Sequence, residues 1–204
     1  MRADISITQL KAEIGQCTIC AARFADTTTA HSPRPIVWFN KDSPILIAGQ
    51  APGIRVHEDG KPFWDRSGDR LREWMGIDDQ QFYDERLVSI VPTAFCFPGY
   101  NAKGSDLPPP RICWETWHDR CLNELGKIGL RLIIGKHAME RHLGVRSPLT
   151  QVVENWQAYA PSTFVLPHPS WRNNTWIKKH PWFERDLIPE LQATVARVLA
   201  QKSL

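Results

Sequence analysis

Residues 44–63 read PILIAGQAPGIRVHEDGKPF, and the fold turns on this stretch. An apolar run, Ile45-Leu46-Ile47-Ala48, breaks at Gly49-Gln50 into Ala51-Pro52-Gly53 and crosses a polar loop to Gly60-Lys61-Pro62-Phe63. Four apolar residues without alternation predict a strand buried on both faces, as in a parallel sheet. Such a strand delivers its loop to the sheet edge where open α/β folds bind ligands. Glycine lets backbone N–H groups approach a ligand and proline limits the loop's freedom, so residues 49–53 read as a rigid cradle. A plain sheet-to-helix turn has the same pattern, and the rest of the chain must decide between them.

Downstream, Ser67-Gly68-Asp69 opens an amphipathic helix through Leu71, Trp74 and Met75 that stops at Gly76. Residues 87–91, 130–134 and 163–166 predict three more buried strands. Helical spacing predicts helices over 5–16, 111–128, 136–143 and 184–201. Strands alternating with helices imply a mainly parallel α/β sheet covered on both faces. With 204 residues, no repeat and no linker, residues 1–204 read as a single domain. Residues 92–113 form the longest irregular stretch, and loops of that length are usually functional or tied down.

The net charge of +3 is mild, so contact with nucleic acid has to come from a local patch. The opening MRADISITQL lacks the apolar run of a secretion signal and no segment is long enough to span a bilayer. A cytoplasmic monomer without membrane contact is expected. Five cysteines in a reducing compartment point to metal ligation, catalysis or burial rather than disulfides. Cys17 and Cys20 form a C-x-x-C pair, and Cys96 and Cys113 form a second pair with sixteen residues between them. Four thiolates can hold zinc or a [4Fe-4S] cluster, and spacing alone does not choose between them. They can also be four small buried hydrophobes. Cys121 is expected to be buried and unligated.

In order along the chain stand Cys17 and Cys20, the Gly49–Gly53 loop, Gly60 to Phe63, Cys96, Cys113 and His168-Pro169-Ser170. This ordered set resembles the iron-sulfur (family 4-like) branch of the uracil-DNA glycosylase superfamily. The resemblance implies a three-layer α/β/α fold around a four-stranded, mainly parallel sheet. It also implies a [4Fe-4S] cluster on Cys17, Cys20, Cys96 and Cys113, and monofunctional excision of a deaminated base from DNA. An enzyme of that kind flips the nucleotide into a pocket, stacks on its ring and reads its polar edge. Phe63 is the candidate stacking ring, with an ordinary core aromatic as the alternative. His168, between two prolines, is the candidate donor to the charge that develops on the departing base. Gln50 with Gly49, Ala51, Pro52 and Gly53 would hold the base and position water. Ser170 would hold a flanking phosphate, and Trp171 or Arg172 would fill the gap left in the stack. Lys178, Lys179 and His180 form a modest basic stretch, equally a solvated surface.

Two departures from the family pattern stand out. Gln50 replaces the usual Glu, and Ala51 stands where another branch carries a water-activating Asp. Glu58 and Asp59 are the nearest carboxylates in the sequence, and read equally as solvated loop charges; His57 is a further polar candidate. The branch also carries an Asn at the end of its second strand, whereas Ser89-Ile90-Val91-Pro92-Thr93 offers none. Thr93 or Gln50 would have to supply that contact. Uracil is the expected base, with hypoxanthine as an alternative. A catalytically silent nucleic-acid-binding protein and a zinc-stabilised α/β protein with a small-molecule substrate are the rival functions.

Overall fold

A computed structural model describes residues 6–202. The opening MRADI, which carries part of the leader reading and the first residue of the 5–16 helix, lies outside the described residues. Four strands, β1 (Ile45–Ala48), β2 (Val88–Ile90), β3 (Leu130–Ile134) and β4 (Thr163–Leu166), form one sheet in the order β2-β1-β3-β4. Every pairing is parallel, with Ile45 opposite both Val88 and Leu130, and Leu132 opposite Phe164. Only Arg131 among these strand residues is exposed. That is the burial expected where helices cover both faces.

The helices are α1 (Ile7–Gly15) and α2 (Ala21–Ala25) before the sheet, then α3 (Ile54–Asp59), α4 (Arg66–Met75) and α5 (Asp79–Phe82) between β1 and β2. Between β2 and β3, α6 (Arg111–Cys113) runs through a π turn (Trp114–His118) into α7 (Asp119–Glu124). After β3 come α8 (Gly135–Leu143), α9 (Leu149–Glu154), α10 (Asn174–Lys179) and α11 (Ile188–Lys202), the last entered through a second π turn, Phe183–Leu187. Successive strand side chains point to opposite faces, and β1 divides accordingly. Leu46 packs with Leu10, Ile14, Phe39, Trp117 and Cys121, while Ile45 and Ile47 join Leu71, Trp74, Phe183 and Leu191. Helices α1 and α7 therefore cover one face, and α4 and α11 the other. Among the described residues no helix is long and apolar enough to cross a membrane.

Three local expectations need correction. The polar stretch after the cradle is the helix α3 rather than a loop. The cap of α4 is Asp65, whose carboxylate accepts the Gly68 N–H at 2.9 Å, so the helix starts before Ser67. The 111–128 helix ends at Glu124, because Leu125 turns extended (ψ 134°).

Candidate active site and cysteine cavity

Because all four strands run parallel, their C-terminal ends share one edge, and β1 and β3 meet where the strand order reverses, the place such sheets bind ligands. The cradle leaves β1 at this point. Its floor is bonded to the residues after β2: the Thr93 and Ala94 N–H groups donate to the Gly49 and Gln50 carbonyls, both at 2.9 Å. The Thr93 hydroxyl also donates to the Gly49 carbonyl at 3.1 Å, and Thr93 is only 5% exposed. Thr93 thus pins the cradle, while Gln50, Ala51, Pro52 and Gly53 stay half-buried at its lip. The Gln50 side chain crosses toward β3, where a Cβ on Gly135 would lie 3.5 Å from its Cδ and Nε2. Gly135 has φ +82°, a conformation other residues adopt only with strain.

Phe63 closes the other side. Its ring reaches to within 3.7 Å of where a Cβ on Gly49 would stand. It holds φ +52°, which for an aromatic residue costs on the order of 1–3 kcal/mol and persists only where surroundings enforce it. They do so here through the Phe63 carbonyl, which accepts from the Tyr83 hydroxyl at 3.1 Å and the Arg72 Nη1 at 3.4 Å. Burial pushes the Tyr83 hydroxyl up to about 12, so it stays protonated and able to donate. Arg72 is itself fixed by Asp69 and Asp79, each at 2.6 Å.

Strand β4 ends in Pro167-His168-Pro169, with both prolines buried. Neither proline has an N–H, so the backbone leaves the ladder, and the loop is held from outside instead. The Asn173 side-chain amide donates to the His168 carbonyl at 2.6 Å. Arg70 on α4 donates to the Ser170 carbonyl at 3.2 Å and to Asn174 Oδ1 at 2.7 Å. Burial pushes the half-buried His168 imidazole below its ordinary value, against an upward pull from Asp65 and Asp106 and with a further downward push from Arg172. The imidazole is therefore neutral near pH 7 and carries one N–H. Trp171 stands 72% exposed directly after Ser170, and Arg172 is exposed beside it.

Asp65 and Asp106 are functional candidates that sequence reading missed. Asp65 directly follows Phe63-Trp64, and Asp106 belongs to the 92–113 segment, which is folded rather than loose. The Leu107 N–H donates to the Gly99 carbonyl at 2.8 Å, Tyr100 bridges Asp106, and the Thr28 hydroxyl donates to the Tyr100 carbonyl at 3.0 Å. Of the other polar candidates, Glu58 and Asp59 are exposed on α3. His57 packs edge-on against His31 at 5.1 Å, toward the N-terminal segment. His180 stacks on Trp176 at 4.4 Å and binds its carbonyl at 2.7 Å, leaving Lys178 and Lys179 as the exposed basic residues.

The four cysteines come together beyond the cradle floor, around a pocket that Ala94 also lines. Cys17, Cys20, Cys96 and Cys113 line one small cavity, walled by apolar residues including Ile14, Phe24, Phe95 and Trp117. The Phe95 N–H donates to Cys113 Sγ at 3.4 Å. Burial first, and the neighbouring thiols after it, push Cys96 up to about 12; burial pushes Cys113 up to about 11. Desolvated thiols keep their protons unless a metal takes the proton's place, and an N–H···S bond such as that to Cys113 suits a sulfur that carries charge. The donor set therefore fits a metallocluster. No three His, Cys, Asp or Glu among the described residues converge to hold one metal ion. A tetrahedral zinc needs four sulfurs about 2.3 Å from a single centre, which demands a tighter cage than a four-iron cube. Cys121 is fully buried among Leu10, Ile14 and Trp117, outside the cavity.

A parallel four-stranded sheet with helices on both faces defines an open α/β fold, and the glycine cradle and the proline-flanked histidine stand at the edge where such folds bind ligands. The profile of the Uracil DNA glycosylase superfamily matches residues 36–192, more than half of the chain. The chain belongs to that superfamily, whose members are DNA glycosylases, hydrolases of N-glycosyl bonds.

Proposed function

We propose that the protein is a monofunctional DNA glycosylase that hydrolyses the N-glycosidic bond of a deaminated base, uracil foremost, flipped out of DNA, leaving an abasic site. The observation that carries this reading is that Gln50, Phe63 and His168 stand at one edge of the sheet in a member of a glycosylase superfamily. Phe63, held in its strained conformation, stacks on the extruded ring. The Gln50 amide both donates and accepts, which matches the edge of uracil and mismatches that of cytosine. As the bond breaks, the base gains negative charge and the sugar becomes cation-like. The neutral His168 N–H meets that charge on the base. Water is the final nucleophile and no lysine Schiff base forms. Asp65, with Oδ1 engaged by the Gly68 N–H, keeps its second oxygen for a water or for the sugar's charge. Ser170 holds a flanking phosphate while Trp171 or Arg172 enters the gap in the stack.

To this reading belongs a [4Fe-4S] cluster on Cys17, Cys20, Cys96 and Cys113, four thiols that line one pocket, and with it the iron-sulfur branch. The cluster would tie the N-terminal helices to residues 95–113, with no redox step in base excision.

A second reading, a silent DNA-binding module, is favoured by the absence of an amide side chain after β2 and of any carboxylate within residues 49–53. Oligonucleotides carrying uracil, hypoxanthine or xanthine, treated with the protein and then with alkali, separate the two. Cleavage of one strand establishes the glycosylase and names its base. Tight binding to all three without cleavage supports the silent module.

A further inference from the structure

The site as described leaves one large aromatic without a role. Trp64, 44% exposed, lies in sequence between the stacking candidate Phe63 and Asp65, whose side chain caps α4. It is rigidly held. The Lys61 ammonium sits 3.6 Å from the centre of the Trp64 ring and 3.7 Å from that of Tyr83, and the two rings meet at 5.7 Å. Tyr83 is in turn bonded to the Phe63 carbonyl. An exposed indole fixed on a cation–π support loses little freedom when a ligand covers it. Trp171, 72% exposed, follows Ser170, and Arg70 on α4, the helix capped by Asp65, grips Ser170 and Asn174 and so ties the His168 loop to the segment that carries Trp64.

We propose that Trp64 is a second base-stacking platform and that the mouth takes single-stranded DNA, with bases on Trp64 and Trp171 flanking the flipped nucleotide. This rests on the glycosylase reading of the site. In a duplex each inserted side chain costs a few kcal/mol of lost stacking, and two around one nucleotide double that cost. A single strand has its bases free, and base–aromatic stacking accepts any sequence. Trp64 is thus a positioning residue, acting on neighbours of the target rather than on the target.

The test compares Trp64→Leu and Trp64→Phe with the unaltered protein. The readouts are anisotropy binding to an undamaged dT oligomer at fixed salt, and single-turnover excision from single-stranded and duplex DNA. The unaltered protein should favour the single strand. Trp64→Leu should bind the oligomer about tenfold more weakly and lose that preference, while Trp64→Phe keeps most of both. Leu and Phe variants that behave alike, or a Leu variant that binds as before, would overturn the proposal. Independently of any variant, 5-iodouracil placed next to the lesion should photocrosslink to Trp64 in the unaltered protein, and crosslinks found only elsewhere would overturn it. Trp64-dependent oligomer binding without excision of any base would leave the platform standing and refute the glycosylase reading instead.

Discussion

A Cβ on Gly68 would lie 1.7 Å from the Phe63 carbonyl oxygen, so the first turn of α4 and the backbone of the stacking candidate touch with no room for a methyl group. Gly68→Ala must therefore displace Phe63 or the helix. The expected cost is about 1–3 kcal/mol of stability, the scale of overpacking, together with a slower excision step. Denaturant unfolding and single-turnover rates measure both, and an unchanged unfolding curve would contradict the packing.

Gln50 and Gly135 meet in the crevice between β1 and β3. Gln50→Leu keeps the bulk and removes the amide, so it should lower excision of uracil by about a hundredfold or more, as when a hydrogen-bonding site loses its match. Gly135→Ala should weaken the same reaction by straining the turn beside Gln50, because a Cβ fits the space there but not φ +82°. Full activity in Gln50→Leu would pass base reading to another group.

The lowered pKa of His168 sets a sign for the pH profile. As pH falls through that lowered value the imidazole gains a proton and the neutral donor is lost. The rate should be level near neutrality and decline only below about 6.5, and His168→Ala should be about a hundredfold slower with that limb absent. A rate that climbs on acidification would assign catalysis to the protonated form.

His118 and His142 lie edge to face at 4.7 Å on the Leu46 side of the sheet. Burial lowers them to about 3 and about 4, and both His118 ring nitrogens and His142 Nε2 are buried without a hydrogen-bond partner in the structure. Below the ordinary value of 6.5 the unfolded chain binds protons that the folded chain refuses. Stability is thus fully present above that pH and falls as pH drops toward 4, by up to about 1.4 kcal/mol per unit for each histidine. Unfolding at pH 7.5 and pH 5 checks this, with the double variant His118→Gln/His142→Gln expected to show the flatter dependence.

Protein purified without oxygen should be brown, as [4Fe-4S] proteins are. Cys96→Ser and Cys113→Ser should bleach and destabilise it, whereas Cys121→Ala should keep the colour. A colourless native protein with bound zinc would refute the cluster.

The strands were the most legible part of the chain. Ile45–Ala48 is an unbroken apolar run, and Leu130–Ile134 and Thr163–Leu166 are apolar apart from the exposed Arg131 and the leading Thr163, so burial on both faces writes itself directly into composition. Helix α3 was hidden because its six residues carry four charged or polar side chains and bury only Val56. The π turns at 114–118 and 183–187 each shift the helical period, which no spacing rule anticipates. Within the site, Gln50, Phe63 and His168 could be picked out because glycine and proline frame them. Asp65 and Asp106 act on the His168 imidazole only through tertiary folding, more than sixty residues away in sequence, and nothing local marks them. The cysteine pairs announced themselves by spacing, and folding brings all four to one cavity.

The most direct measurement is the release of free base from a uracil-containing oligonucleotide, quantified beside the abasic sites left in the strand. The expected result is one uracil per abasic site, with no strand break until alkali is added. Strand breaks that precede alkali, or no free base from any deaminated strand, would contradict a monofunctional glycosylase.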